Sequence, residues 1–413
     1  MPNSNVLVMS HLIEGNRVFK DYCNGIKAHS DNYYYVDYIQ QYLSEGKERF
    51  EKQIHELVAD KNIDSIFFIW WSCDLTFDLR FIEKLSSSAT IAINYFDTEY
   101  FFEGVDRYYA QLADLVILPD CLSRYKYQQL NINAITTFAL YDKSFYRKND
   151  SIGKSIDVSF VGNLKQSDRK AYIDHLRANG IAVETFGVGS DNGFVSNEEM
   201  VAVFNRSKIN LNFTMTSDRS YYVINPPAIS ERIKQSKGRP NEIALSGGFI
   251  LSEYAPGIEE MYAIGEQMDV FKSKEELLER IRFYLSNEDK RAAIAARGYE
   301  RALRAYDAAA GFEKVFVKMS GLGRSGNKTM YMDREFVDNF VAYRFFYIFQ
   351  FLLNGKFRNI PGELRVIWKF KRINLGKSFY FAIKGFLHYM RGRPKLESRL
   401  KLIKNKLKIQ LKY

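Results

Sequence analysis

A chain of 413 residues exceeds what one ordinary hydrophobic core organises and points to two domains of typical size plus an extension. With 28 Tyr and 32 Phe there is ample apolar material to bury. The three cysteines (Cys23, Cys73, Cys121) stand far apart, without a CxxC or a matching histidine cluster, which argues against a disulfide framework or a zinc site and for a reducing compartment. The net charge of +10 is uneven: residues 321–413 hold 21 Lys and Arg against 5 Asp and Glu, and the remainder holds 38 against 44. A mildly acidic body with a strongly basic tail suits an anionic surface, either nucleic acid or phospholipid.

The N-terminus, MPNSNVLVMSHL, enters an apolar run directly and lacks the charged region and long apolar core of a signal peptide. Apolar runs at 5–10, 33–38, 65–70, 90–96, 114–119 and 134–140 alternate with helix-spaced segments such as 47–59 and 75–85. That alternation predicts a parallel sheet covered on both faces, a Rossmann-like domain over residues 1–141. Gly15 alone in the first loop does not make a GxGxxG fingerprint, so a dinucleotide reading has little support.

Residues 142–155 are polar and turn-rich and read as a linker, after which the pattern restarts over 156–320. Strands are expected at 157–162, 181–187, 209–213, 249–251 and 267–271, with a helix at 167–179. Ser196 to Glu199 and Ser273 to Glu276 read as capping boxes opening two further helices. One long Ala- and Arg-rich helix, 290–318, is expected to close this half. The fold class is thus α/β, two tandem Rossmann-like domains followed by a basic, mostly helical extension at 321–413.

The most informative stretch is KGRPNEIALSGGFILSEYAP, residues 237–256. A basic turn precedes a short helix that starts near Pro240, carries Glu242 and stops at Gly247 and Gly248; a strand follows. Ligands of open parallel sheets bind beyond the carboxyl ends of strands and at helix N-termini. Cations and backbone donors for phosphate, a carboxylate for ribose hydroxyls and a glycine-lined approach together suit a nucleotide diphosphate. For Glu242 alone, an ordinary turn with surface charges fits as well.

This stretch resembles the donor-site signature of bacterial GT-B glycosyltransferases of the "group 1" kind, including those of spore maturation and surface polysaccharide assembly. These carry R-x-x-E before a small-residue pair and a strand. DVSFVGN at 157–163, Arg169, a second strand ending in Gly187, and SKINLNF at 207–213 follow the family's order. The resemblance covers roughly 157–306 and reaches the first domain only in outline. It implies a two-lobed GT-B enzyme with an acceptor domain first and a nucleotide-sugar donor domain second. It also implies that Glu242 holds the donor ribose, and it matches Arg169 to the family's arginine.

Glycosyl transfer must stabilise a departing diphosphate, by cations and helix N-termini if no metal does so. No trustworthy DxD is present, and Asp218 and the pair Glu259-Glu260 lack partners, so no metal and no cofactor beyond the donor is expected. Lys165, Arg169 and Arg239 are the candidate cations, with Gly162 and Asn163 lining the same loop. A cation at a helix start conflicts mildly with the helix dipole, which favours a ligand role for Lys165 or Arg169 over a solvated one. The family's E-x7-E is incomplete, because Lys234 stands eight positions before Glu242; Glu231 is a conceivable substitute, and inversion or retention stays open. An inverting enzyme needs a base. Asp97 is the first candidate, Asp74 the second and His11 the third, each just past an apolar run; Asp97 fits a helix N-cap equally well.

Residues 336–353 are aromatic, but Asp338 and Arg344 interrupt them, so an amphipathic or docked helix is expected rather than a span. Beyond Pro361, basic residues interleave with aromatics, and the end, RLKLIKNKLKIQLKY, suits a helix lying on anionic lipid. A basic helix packed on the body is the plainer alternative. Nucleic acid is disfavoured as a partner, since no RNP or KH motif accompanies the tail. These readings combine into a cytoplasmic glycosyltransferase, peripheral at the membrane, that acts on a glycan or lipid-linked acceptor in lipopolysaccharide or capsule assembly. The rivals are a nucleic-acid-binding protein acting through its tail and a GT-B-fold nucleotide-sugar epimerase.

Overall fold

The computed structural model describes residues 4–12, 17–70, 75–215, 234–236, 238–322, 328 and 330–391. Gly15, Cys73, Asp74, Asp218, Glu231, Lys237 and the final basic segment, residues 392–413, lie outside the described residues.

Six strands form the first sheet: β1 (Asn5–Ser10), β2 (Asn32–Asp37), β3 (Ser65–Trp70), β4 (Thr90–Tyr95), β5 (Leu115–Leu118) and β6 (Ala134–Thr136). They run parallel in the order β2-β1-β3-β4-β5-β6. β1, β3, β4 and β5 are buried on both faces by covering helices, which is why they read as apolar runs, whereas edge strands β2 and β6 are half-buried. β6 is shorter than its apolar run because Phe138 takes a left-handed backbone (φ 55°) and turns the chain toward the linker.

The second sheet contains β7 (Ile156–Val161), β8 (Val183–Phe186), β9 (Ser207–Asn212), β10 (Ile250–Glu253) and β11 (Asp269–Phe271), parallel in the order β11-β10-β9-β7-β8. Strand order reverses between β1 and β3 in one sheet and between β7 and β9 in the other. Crevices open beyond the carboxyl ends of strands at such points. The capping box at Ser196 is complete: Ser196 Oγ accepts from Glu199 N, and Ser196 N donates to the Glu199 carboxylate. At Ser273 only half forms, since Glu276 accepts from Lys272 N instead.

The single helix expected over 290–318 is two helices, Glu288–Ala305 and Ala308–Ser320. Asp307 breaks it by capping the second helix through Ala310 N and by bridging to Tyr141. The redirected helix packs on the first domain, with Phe312 edge-on to Tyr22 at 5.3 Å and Phe316 against Phe67 at 5.2 Å.

Residues 334–391 add helices Arg334–Leu353, Ile360–Trp368 and Leu375–Arg391. The first is docked: Phe336, Phe340, Val341, Tyr347 and Phe351 join the core on one face of the first sheet. Arg344, the charge that interrupts the apolar run, is fully buried between Glu363 (3.4 Å), Tyr42 Oη (3.2 Å) and the carbonyls of Thr76 (3.1 Å) and Leu75. A buried charge needs such partners to be tolerated at all. Among the described residues no helix is long and apolar enough to cross a membrane.

Candidate active site

A cavity of about 640 Å3 lies between the two sheets. The second domain lines it with the end of β7 (Phe160 to Asn163), Arg169, the end of β9 (Asn212 and Phe213), Gln235, Ser236, Gly238, Arg239 and Glu242. The first domain contributes Arg17, Phe96, Asp97, Thr98, Pro119, Asp120 and Tyr141. The carboxyl ends of β4 and β5 in the first sheet and of β7 and β9 in the second therefore face one space.

Glu242 stands in the first turn of helix Arg239–Leu245, and burial pushes its carboxyl upward against the pull of Arg239. Tyr146 Oη, from the linker, donates to Glu242 Oε1 at 3.1 Å, and Arg239 pairs with the other oxygen. Each carboxylate oxygen has a second lone pair, so hydroxyls of a ligand can still be accepted. Gly238 precedes this helix in close quarters, because a Cβ there would overlap Tyr141 Oη.

Arg169 is buried beside the loop after β7. Its guanidinium donates to the carbonyls of Asn163 (3.2 Å) and Met215 (3.3 Å), and among the described residues its Nε finds no acceptor. Burial lowers its pKa to about 10 although nearby Glu253 pulls it up, so it remains a cation at neutral pH. Glu253 itself fixes the loop after β9 by accepting from Thr214 N (2.9 Å) and Met215 N (3.0 Å).

Asp97 follows β4 at the cavity wall with a left-handed backbone, φ 48°. It occupies the N-cap position of the short helix Thr98–Phe101, yet its side chain makes no capping hydrogen bond. Left-handed geometry in a non-glycine residue is uncommon and concentrates at functional sites.

Of the candidate residues, Asp97, Gly162, Asn163, Arg169, Arg239 and Glu242 share the cavity, and four do not border it. His11 turns to Asp37, with Nδ1 3.0 Å from its carboxylate. Asp37 also caps helix Tyr38–Glu45. Burial opposes its ionisation, but His11 and Gln40 N hold its carboxyl below the usual range. Lys165 packs its stem against Gly189. Gly247, with φ 71°, closes its helix against Lys148, and Gly248 lies against Asn210. Asp120, Gln235, Ser236 and Arg17 were not legible beforehand. Arg17 pairs with Asp21 at 3.0 Å and lies 3.7 Å over the Phe145 ring, a cation that no motif marks. Among the described residues no group of His, Cys, Asp and Glu has the arrangement of a metal site.

Residues 167–315 match the family model described as "Glycosyl transferase-like". No curated protein matches the sequence significantly. Among solved structures, Anabaena HepE in complex with UDP superposes with a TM-score of 0.57 at 12% identity, covering 77% of this chain and 100% of that one. A glycosyltransferase from Rickettsia africae gives 0.56 at 8% identity, covering 78% and 98%. Sucrose-phosphate synthase from Thermosynechococcus elongatus gives 0.52 at 8%, covering 77% and 99%. At these identities the likeness is one of fold. Two parallel sheets facing one cleft, with the family match lying over the second, make the fold that of GT-B proteins. Residues 167–315 of the second domain are thus similar to glycosyltransferases, and the chain as a whole has their two-sheet fold.

Proposed function

We propose that this chain transfers a sugar from a UDP-sugar to a hydroxyl of a glycan, without a metal. The observation that carries the reading is the convergence of Glu242, Arg239 and Arg169 on one cavity between the sheets. Glu242 takes the ribose hydroxyls. Arg169 and Arg239 meet the diphosphate, whose negative charge grows as the bond to the sugar breaks, so preorganised cations favour the transition state over the ground state. The loop at Gly162 and Asn163 lets the backbone approach the donor. Uridine is chosen because HepE, similar in fold, is described in complex with UDP.

Asp97 is the proposed base, placed on the acceptor side with its carboxylate not committed to a helix cap. It would accept the acceptor hydroxyl's proton as the oxygen attacks the anomeric carbon and the nucleoside diphosphate leaves.

The acceptor is proposed to be lipid-linked, with the body held at an anionic membrane face. Support comes from helices Ile360–Trp368 and Leu375–Arg391 and their flanks. Trp368 (80% exposed), Leu375 (78%) and Phe379 (69%) stand in water among Arg365, Lys369, Lys371, Arg372 and Lys377. Aromatic and basic side chains in alternation suit a headgroup boundary.

The test is UDP release from UDP-sugars by purified protein, with and without EDTA. Release that survives EDTA and is lost in Glu242→Ala supports the reading. Absence of release from every UDP-sugar, in folded protein, contradicts it.

A further inference from the structure

The cavity wall at Asp120 and Ser236 holds polar atoms that have no partner among the described residues. Asp120 follows β5 and is only 6% exposed. Its Oδ1 accepts from Leu122 N (2.8 Å) and Ser123 N (3.2 Å), capping helix Cys121–Gln129, while Oδ2 has no partner among the described residues. Ser236, 7% exposed and contributed by the other domain, has an Oγ in the same condition. Glu99, two residues past Asp97, buries Oε2 without a partner among the described residues. Burial first, and the charge of Asp120 second, push the Glu99 carboxyl up to about 8, with Lys126 and a hydrogen bond to Gln235 opposing. Asp120, Gln235 and Ser236 all line the cavity.

A buried polar atom without a partner costs on the order of 1–3 kcal/mol, so natural structures keep few of them. Asp120 and Ser236, from two domains, carry two such atoms at the cavity wall, and Glu99 stands behind that wall against Gln235. A carboxylate oxygen of Asp120 accepts, and a serine hydroxyl does either. Neighbouring hydroxyls of a sugar ring present the matching donors and acceptors, whereas an apolar or phosphate group would leave Asp120 unpaired or repelled.

We propose that Asp120 and Ser236, backed by Glu99 through Gln235, form a subsite that binds the hydroxyls of the acceptor's terminal sugar and so selects the acceptor beside Asp97. The subsite rests on the donor reading above. It lies on the walls formed by β4, β5 and the Gln235-Ser236 segment, whereas the donor groups come from β7 and the helix carrying Glu242. Asp120 and Glu99 position the acceptor, and neither is required to receive its proton.

The experiment measures UDP release from a UDP-sugar panel in water alone and with octyl glucoside, octyl galactoside and octyl N-acetylglucosaminide as acceptor probes. Glu99→Gln and Asp120→Asn are the variants, since asparagine caps a helix as well as aspartate and the fold is thereby preserved. At least one glycoside should raise release above hydrolysis in the wild type. Each variant should raise the KM for that glycoside tenfold or more, with UDP affinity and hydrolysis within twofold of wild type. Unchanged glycoside KM in both variants overturns the subsite, as does a parallel fall in UDP affinity, or a wild type that hydrolyses donor but responds to no glycoside. A wild type that neither binds UDP nor turns over any donor removes the donor reading itself, and the subsite with it.

Discussion

Tyr146 of the linker donates its hydroxyl to Glu242 at 3.1 Å, in the wall of the cavity between the two domains. The linker is therefore part of the proposed donor site and not merely a tether. Tyr146→Phe leaves one bond to a buried carboxylate unmade, and hydrogen bonds to charged groups contribute about 1.5–3 kcal/mol. The expected outcome is a loss of that order in urea unfolding and a severalfold weaker UDP affinity by titration calorimetry, milder than for Glu242→Ala.

Two glycines near this helix separate binding from stability. Gly238→Ala forces the added methyl into Tyr141 Oη at the cavity, so both melting temperature and UDP affinity should fall. Gly247→Ala strains a residue at φ 71° away from the cavity and should cost about 1 kcal/mol or more of stability, with UDP affinity unchanged. Melting curves read beside titrations of both variants check the contrast.

Arg344 joins the C-terminal helices to the first domain through Glu363 and Tyr42. Arg344→Met strands Glu363 at zero exposure, and removing one partner of such a pair costs about 3–5 kcal/mol. Urea unfolding should show a loss of that size, and replacing Glu363 by Gln in the same protein should recover part of it.

Glu99 makes stability depend on pH in a definite direction. Its folded pKa, about 8, exceeds its ordinary value of 4.5, so the folded state holds a proton that the unfolded state has released between those values. Stability from this group is complete below about 4.5 and is lost as pH rises to about 8. Asp21, pushed up to about 6 by burial, acts likewise but in a lower window. Melting temperature should therefore decline more steeply between pH 6.5 and 8 in wild type than in Glu99→Gln; equal slopes contradict the assignment.

The exposed aromatics of the last helices give a further outcome. Full-length Trp368→Glu and Phe379→Glu should co-sediment several-fold less with phosphatidylglycerol vesicles than wild type, and none should bind phosphatidylcholine vesicles comparably. Equal sedimentation of wild type and variants would exclude this face as the contact.

The first sheet was legible because β1 to β5 are largely apolar or aromatic runs bounded by helical spacing, and the second because polar residues such as Ser159, Thr185 and Asn210 only punctuate its apolar strands. The break at Asp307 was not. The run from 290 to 318 keeps helical propensity on both sides of Asp307, and it is the Asp307 cap together with the tertiary bridge to Tyr141 that stops it. Glu242, Arg239, Arg169 and the β7 loop were legible because they keep a local order along the chain. Asp120 and Ser236 carry no spacing at all, since strand ends far apart in sequence bring them to one wall. Gly247 and Gly248 stop the helix as their sequence predicts, but they do not border the cavity; a glycine pair beside a ligand and one that only ends a helix look alike in one dimension. Arg344 read as an interruption in an apolar stretch, and only Glu363, nineteen residues on, shows that it is paired.

The central claim is that the cavity between the sheets binds a uridine diphosphate donor through Glu242. Its most direct test is the dissociation constant of UDP, measured by titration calorimetry for wild type and Glu242→Ala, with GDP, CMP and dTDP as controls. At 100 times its dissociation constant, UDP should stabilise the wild type by about 2.7 kcal/mol, a visible thermal shift. The account predicts preferred binding of UDP and a loss of at least tenfold in the variant. Folded wild type that binds none of the four, or a variant that binds UDP as tightly as wild type, would contradict it.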